Sequence, residues 1–82
     1  MPTMSRTPKQ LGAELRRYRK NRQLTQGKLG ELIAKRQATV STLESEGSGT
    51  LETLFAVLSA LDLELTIQPR SKGGRTKIED AF

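Results

Sequence analysis

Apolar residues recur at helical spacing in four successive stretches of the chain, and then the period changes. Leu11, Leu15 and Tyr18 form a first stripe, and Leu29, Leu32 and Ile33 a second. Val40 and Leu43, three residues apart, make a narrower third. Leu51, Leu54, Phe55, Leu58 and Leu61 form the densest set, which burial preference assigns to the core. Start signals precede three of these stripes. Thr7-Pro8-Lys9-Gln10 offers an N-cap hydroxyl, a proline at the first helical position and a glutamine at the capping-box position. Thr25 and Thr50 are caps of the same kind, the latter followed by Glu52 in the first turn. Breaks fall at Ala34 to Arg36 and at Gly47 to Gly49, and Leu24 is placed to pack under the turn into the second helix.

From residue 62 the pattern alternates. Leu63, Leu65 and Ile67 are interleaved with Glu64, Thr66 and Gln68, and Pro69 ends the run, which is the period of a β-strand. Continuation of the preceding helix is the competing reading, because Leu and Glu also favour helices. A solitary strand leaves its backbone groups unpaired, and no second strand is evident, so pairing with the same strand of another copy across a two-fold axis is expected.

The third helix is unusual in what it shows to solvent. Gln37, Ala38, Ser41 and Thr42 point away from the Val40–Leu43 stripe and form a face of small, neutral, hydrogen-bonding groups. An ordinary polar surface could look like this. A DNA major groove also suits it: Gln pairs bidentately with adenine, Ser and Thr bond several base edges, and Ala touches the thymine methyl. Two short amphipathic helices joined by a tight turn, Thr25 to Glu44, outline a helix-turn-helix.

Composition narrows the function. The 82 residues permit one small domain with a thin core, so self-association or a partner is expected to contribute stability. Fourteen Lys plus Arg against nine Asp plus Glu give a net charge of +5, which suits a polyanion-binding protein. The excess is uneven: up to Leu24 seven basic residues meet one acid, Glu14, whereas residues 25–69 carry three basics and six acids. Arg16, Arg17, Arg19, Lys20 and Arg22 make the first helix basic, either as a solvated face or, for some of them, as phosphate contacts. Cys and His are both absent, which excludes disulfides and thiolate metal sites and removes the commonest general base and metal ligand. No Gly-rich phosphate loop precedes a helix, so no catalytic residues, metal or cofactor are assigned and an enzyme is not expected. No apolar run approaches a membrane span and the start lacks a signal-peptide core, so a cytoplasmic, nucleoid-associated protein is expected. Residues 1–6 are read as a flexible start, 7–69 as the DNA-binding and dimerisation domain, and 70–82 as a flexible basic tail. That tail could alternatively fold on a partner with Ile78 and Phe82 as apolar anchors.

The segment TQGKLGELIAKRQATVSTLE resembles the helix-turn-helix of phage-repressor-type (Cro/C1, XRE) regulators, with Thr25-Gln26 opening one helix and Leu43-Glu44 closing the next. The resemblance implies a mainly α, lambda-repressor-like domain of four to five helices, here with one C-terminal strand pairing across a homodimer. It implies that Gln26 contacts phosphate, that Gln37, Ala38, Ser41 and Thr42 read bases, and that Arg19 and Glu44 form a structural ion pair. Lys35, Arg36 and Thr39, close by, join Gln26 as candidates for phosphate contact. Two departures stand out: Gly30 occupies a position where the family usually has Ala, and Ala34 the position of the usual turn Gly. Positive φ costs other residues about 1 kcal/mol or more, so the turn is expected to be strained or differently shaped. The run TLETLFAVLSALDLELTI, passing from helix straight into the alternating segment, makes residues 8–69 resemble HipB-type antitoxins. That likeness implies a repressor of its own operon that binds pseudo-palindromic double-stranded DNA and a HipA-like serine/threonine kinase toxin. A stand-alone phage-type regulator with no toxin would share every DNA-binding feature, and a protein-interaction module that had lost DNA binding is a third reading.

Overall fold

The computed structural model describes residues 4–70. Residues 1–3 of the expected flexible start, and the expected tail beyond Arg70, lie outside the described residues. Among the described residues there are four helices: α1 (Pro8–Asn21), α2 (Gln26–Ile33), α3 (Gln37–Glu46) and α4 (Leu51–Ala60). Three starts follow from threonine hydroxyls that satisfy backbone donors the first turn leaves free. Thr7 Oγ1 accepts from the Gln10 N–H at 3.1 Å, Thr25 Oγ1 from Lys28 at 3.0 Å and Thr50 Oγ1 from Thr53 at 3.0 Å. Gln10 reaches one residue beyond the usual capping-box target, its Oε1 accepting from the Arg6 N–H at 2.7 Å. Helix α3 starts without a side-chain cap, at Arg36, and closes at Gly47 in the left-handed region.

The core is a single cluster: Leu15, Leu29, Val40, Leu43, Leu54, Val57, Leu58 and Leu61, with Leu11, Tyr18, Leu24, Ile33 and Leu63 half-buried around it. Three positions expected to be apolar core or stripe are instead exposed: Leu32 (56%), Leu51 (71%) and Phe55 (52%). Helices α2 and α4 have eight and ten residues, and each offers only a narrow arc to the core, so one apolar line is buried and its neighbour is left outside. On α4 the buried line runs through Leu54, Val57, Leu58 and Leu61, with Val57 in the place that spacing gave to Phe55.

Residues 63–70 form neither strand nor helix. The helical alternative fails at Leu61, where α4 ends, and Asp62 at φ +60° turns the chain away. The expected strand is not formed among the described residues, because a ladder needs a second edge and no other described segment supplies one. Leu65 and Ile67 are 45% and 92% exposed. No described helix is long and apolar enough to cross a membrane.

Gly30 and Ala34, the two departures in the turn, are geometrically linked. Ala34 takes the left-handed conformation (φ +59°, ψ +43°), the role usually given to glycine. The turn that follows folds back so closely that a Cβ at residue 30 would lie 2.7 Å from the Lys35 carbonyl oxygen. The Lys35 N–H donates to the Gly30 carbonyl at 2.8 Å. The glycine is therefore needed on the helix that the turn covers, and the turn residue itself bears the conformational cost of about 1 kcal/mol.

Candidate nucleic-acid interface

Helix α3 is held between α1 and α2 with one side buried. Val40, Leu43 and Glu44 are enclosed, while Gln37, Ala38 and Thr42 are exposed and Ser41 is half-buried. At 100° per residue these four sequence-predicted positions cover one continuous arc. Ser45, four residues after Ser41, is exposed in the middle of that arc, and its hydroxyl donates to the Ser41 carbonyl at 2.9 Å. Ser45 is not among the sequence-predicted positions, although the i, i+4 spacing that groups Gln37 with Ser41 includes it.

The base of this face is a chain of polar contacts. Arg19 and Glu44, both nearly fully buried, form a two-pronged ion pair between α1 and α3: Nε to Oε2 at 2.6 Å and Nη2 to Oε1 at 3.1 Å. A remaining Arg19 N–H donates to the Leu24 carbonyl at 2.6 Å, tying down the loop that leads into α2. Such a pair stands in a low-dielectric interior only when its donors and acceptors are met, and no buried side-chain polar atom among the described residues lacks a partner. The same Glu44 Oε1 accepts from the Gln26 amide at 3.1 Å, and Gln26 Oε1 in turn lies 3.5 Å from the Gln37 amide nitrogen. The ion pair thus orients the first residue of α2, and that residue touches the first residue of α3. Gln37 keeps its carbonyl oxygen and one N–H for a ligand, the set that a bidentate contact to adenine uses.

The candidate phosphate contacts stand around the same end. Gln26 and Thr39 are half-buried, Lys35 and Arg36 exposed. Gln26 is engaged by Glu44 through its amide, which leaves one of its two N–H groups for a phosphate. Of the basic residues of the first helix, Arg19 is internal, whereas Arg16, Arg17, Lys20 and Arg22 are exposed. Arg17 is bonded to Glu14 at 2.7 Å, and this hydrogen bond, with the attraction of the carboxylate, raises the pKa of the guanidinium. Arg22 lies 3.7 Å from Asp62. Among the described residues no group of three His, Cys, Asp or Glu could hold a metal ion.

A capped α2, a tight left-handed turn and a following helix with an exposed polar face define a protein of the helix-turn-helix class. Among solved structures the chain is similar to a HipB variant in complex with an O2 20mer, at 30% identity over 88% of this chain and 100% of that one, with a TM-score of 0.78. A HipB complex with an O4 20mer and a chain of a HipA-HipB-O2-O3 complex each match at 30% identity over 87% of this chain and 100% of theirs, with TM-scores of 0.77. No protein-family profile and no curated protein matches. The chain belongs to the HipB family.

Proposed function

We propose that this protein is a HipB-type antitoxin: a sequence-specific DNA-binding repressor that controls its own operon and binds a HipA-like serine/threonine kinase toxin. The observation that carries the DNA half is the exposed arc of Gln37, Ala38, Ser41 and Thr42 on a helix held at its other side by the buried Arg19–Glu44 pair. A face of neutral donors and acceptors on a rigid helix matches the mixed edges of a major groove. In this reading those four residues read bases, and Gln26, Lys35, Arg36 and Thr39 hold phosphates and fix the register.

The functional unit is a homodimer. Leu63, Leu65 and Ile67 of each copy pair as a short two-stranded ladder, which gives a partner to the backbone that follows the Leu63 N–H, itself already donated to the Leu58 carbonyl. The exposed Leu51 and Phe55 of α4 lie beside that segment and supply apolar area to the same contact. Two copies of α3 then enter successive major grooves of a pseudo-palindromic operator, about 34–36 Å apart. The toxin half rests on family membership and on the HipA-HipB-O2-O3 complex among the similar structures. In this reading the chain is the regulator, and kinase activity belongs to the partner.

Co-purification of a tagged copy from its native cell, with mass spectrometry of bound protein and sequencing of bound DNA, tests the whole reading. Recovery of a kinase-fold protein and a palindrome from the chain's own promoter is the expected result. DNA recovered alone would remove the toxin half and leave a stand-alone repressor.

A further inference from the structure

Helix α1 carries a line of cations that the helix-turn-helix does not use. Lys9, Arg16 and Lys20 are all exposed, and unlike Arg17, Arg19 and Arg22 none of them has an ion-pair partner among the described residues. At 100° per residue the three fall within about 40° of one another, in a stripe about 16 Å long.

The packing of α1 on α3 decides which way this stripe faces. Gly12 meets α3 directly, since a Cβ there would sit on the Leu43 and Glu44 carbonyls, and Arg19 reaches Glu44 from the same line of α1. To one side of this seam lie the core residues of both helices, Leu11 and Leu15 on α1, Val40 and Leu43 on α3. Turning α1 the other way by about 40–100° brings up Arg16, then Lys9, then Lys20. Turning α3 away from Glu44, on that same side, brings up Gln37 and Ser41. The cationic stripe and the polar face of α3 therefore open onto the same side of the molecule, continuous across the α1–α3 seam.

We infer that Lys9, Arg16 and Lys20 form a second phosphate-binding tract that lies along the DNA backbone flanking the groove occupied by α3. The inference rests on the DNA-binding reading of α3 and adds residues that the helix-turn-helix itself does not supply. The stripe is long enough to meet several phosphates of one strand, and its charge is complementary to them. It reads no bases, so it sets affinity and register for every sequence alike.

The test is the salt dependence of binding to two duplexes, one selected by the wild-type protein from a random pool and one of shuffled sequence. The variant is Lys9→Gln/Arg16→Gln/Lys20→Gln, whose exposed substitutions keep helix propensity; circular dichroism establishes that it folds. Each neutralised phosphate contributes about 0.9 to the slope of log K against log salt, so the slope is expected to shrink by about 2–3 on both duplexes while the preference between them stays the same. Arg22→Gln, a charge removal at the far end of α1 beside Asp62, is expected to change the slope by well under 1. A slope in the triple variant equal to that of the wild type overturns the inference, leaving an acidic protein surface as the alternative partner for the stripe. A wild-type protein that binds neither duplex overturns the DNA-binding reading and the inference together, which separates the two failures.

Discussion

Replacing Glu44 by Leu removes one half of a pair in which Arg19 is only 6% and Glu44 only 4% exposed. The guanidinium then keeps the Leu24 carbonyl as a partner but loses both carboxylate contacts, and Gln26 loses its acceptor. Breaking a buried pair from one side costs about 3–5 kcal/mol, because the remaining charge stays buried and uncompensated. In a domain of this size each kcal/mol moves the thermal midpoint by about 4–8 °C, so a fall of at least about 12 °C is expected. The double variant Arg19→Met/Glu44→Leu removes both charges and is expected to recover part of that loss. It leaves the Leu24 carbonyl without its donor, which retains a deficit of about 1–3 kcal/mol. Thermal and urea unfolding followed by circular dichroism, at one fixed protein concentration because self-association shifts the midpoint, gives all three values. A Glu44→Leu cost below about 1 kcal/mol, the range of an exposed pair, would mean that no uncompensated charge is left buried at Arg19.

Ala34→Gly is expected to stabilise by about 1 kcal/mol, because glycine adopts the left-handed conformation without penalty. Gly30→Ala, normally favourable in a helix, is expected to destabilise because its Cβ meets the Lys35 carbonyl; urea midpoints of both variants check the pair. Gln37→Ala is expected to cost about 1–3 kcal/mol at one operator position and relax preference there, whereas Arg36→Ala weakens all sequences similarly; selection from a random pool compares them. Leu65→Lys/Ile67→Lys places like charges in the exposed apolar positions of residues 63–70. It is expected to shift the protein from dimer to monomer in sedimentation equilibrium while the four helices persist.

Local signals in the sequence located the elements well where one residue settles the outcome. Thr7, Thr25 and Thr50 each mark a helix start because a hydroxyl next to free N–H groups needs nothing from the rest of the chain. Burial was less legible. Leu32, Leu51 and Phe55 have the spacing of core residues and are exposed, because spacing shows an apolar line without showing how wide the facing surface is. The Gly30–Ala34 exchange could be seen as two departures but not as one arrangement, since the contact joining them is made by the backbone oxygen of Lys35. Family resemblance pointed to Arg19 and Glu44, but their extension through Gln26 to Gln37 depends on side chains 11 and 18 residues apart in sequence, distances that periodicity does not relate. The alternation at 63–67 has the period of a strand, but a ladder needs a second edge, and among the described residues none faces it.

Recognition of a DNA sequence by the exposed face of α3 is open to a single measurement. Its most direct test is the affinity for a duplex taken from immediately upstream of the protein's own gene against a shuffled duplex of equal length and composition, at one physiological salt concentration. A preference of at least about 10³-fold for the upstream duplex is expected. Equal affinity for the two would contradict it, reducing the binding to the general attraction of a protein of charge +5 for any polyanion.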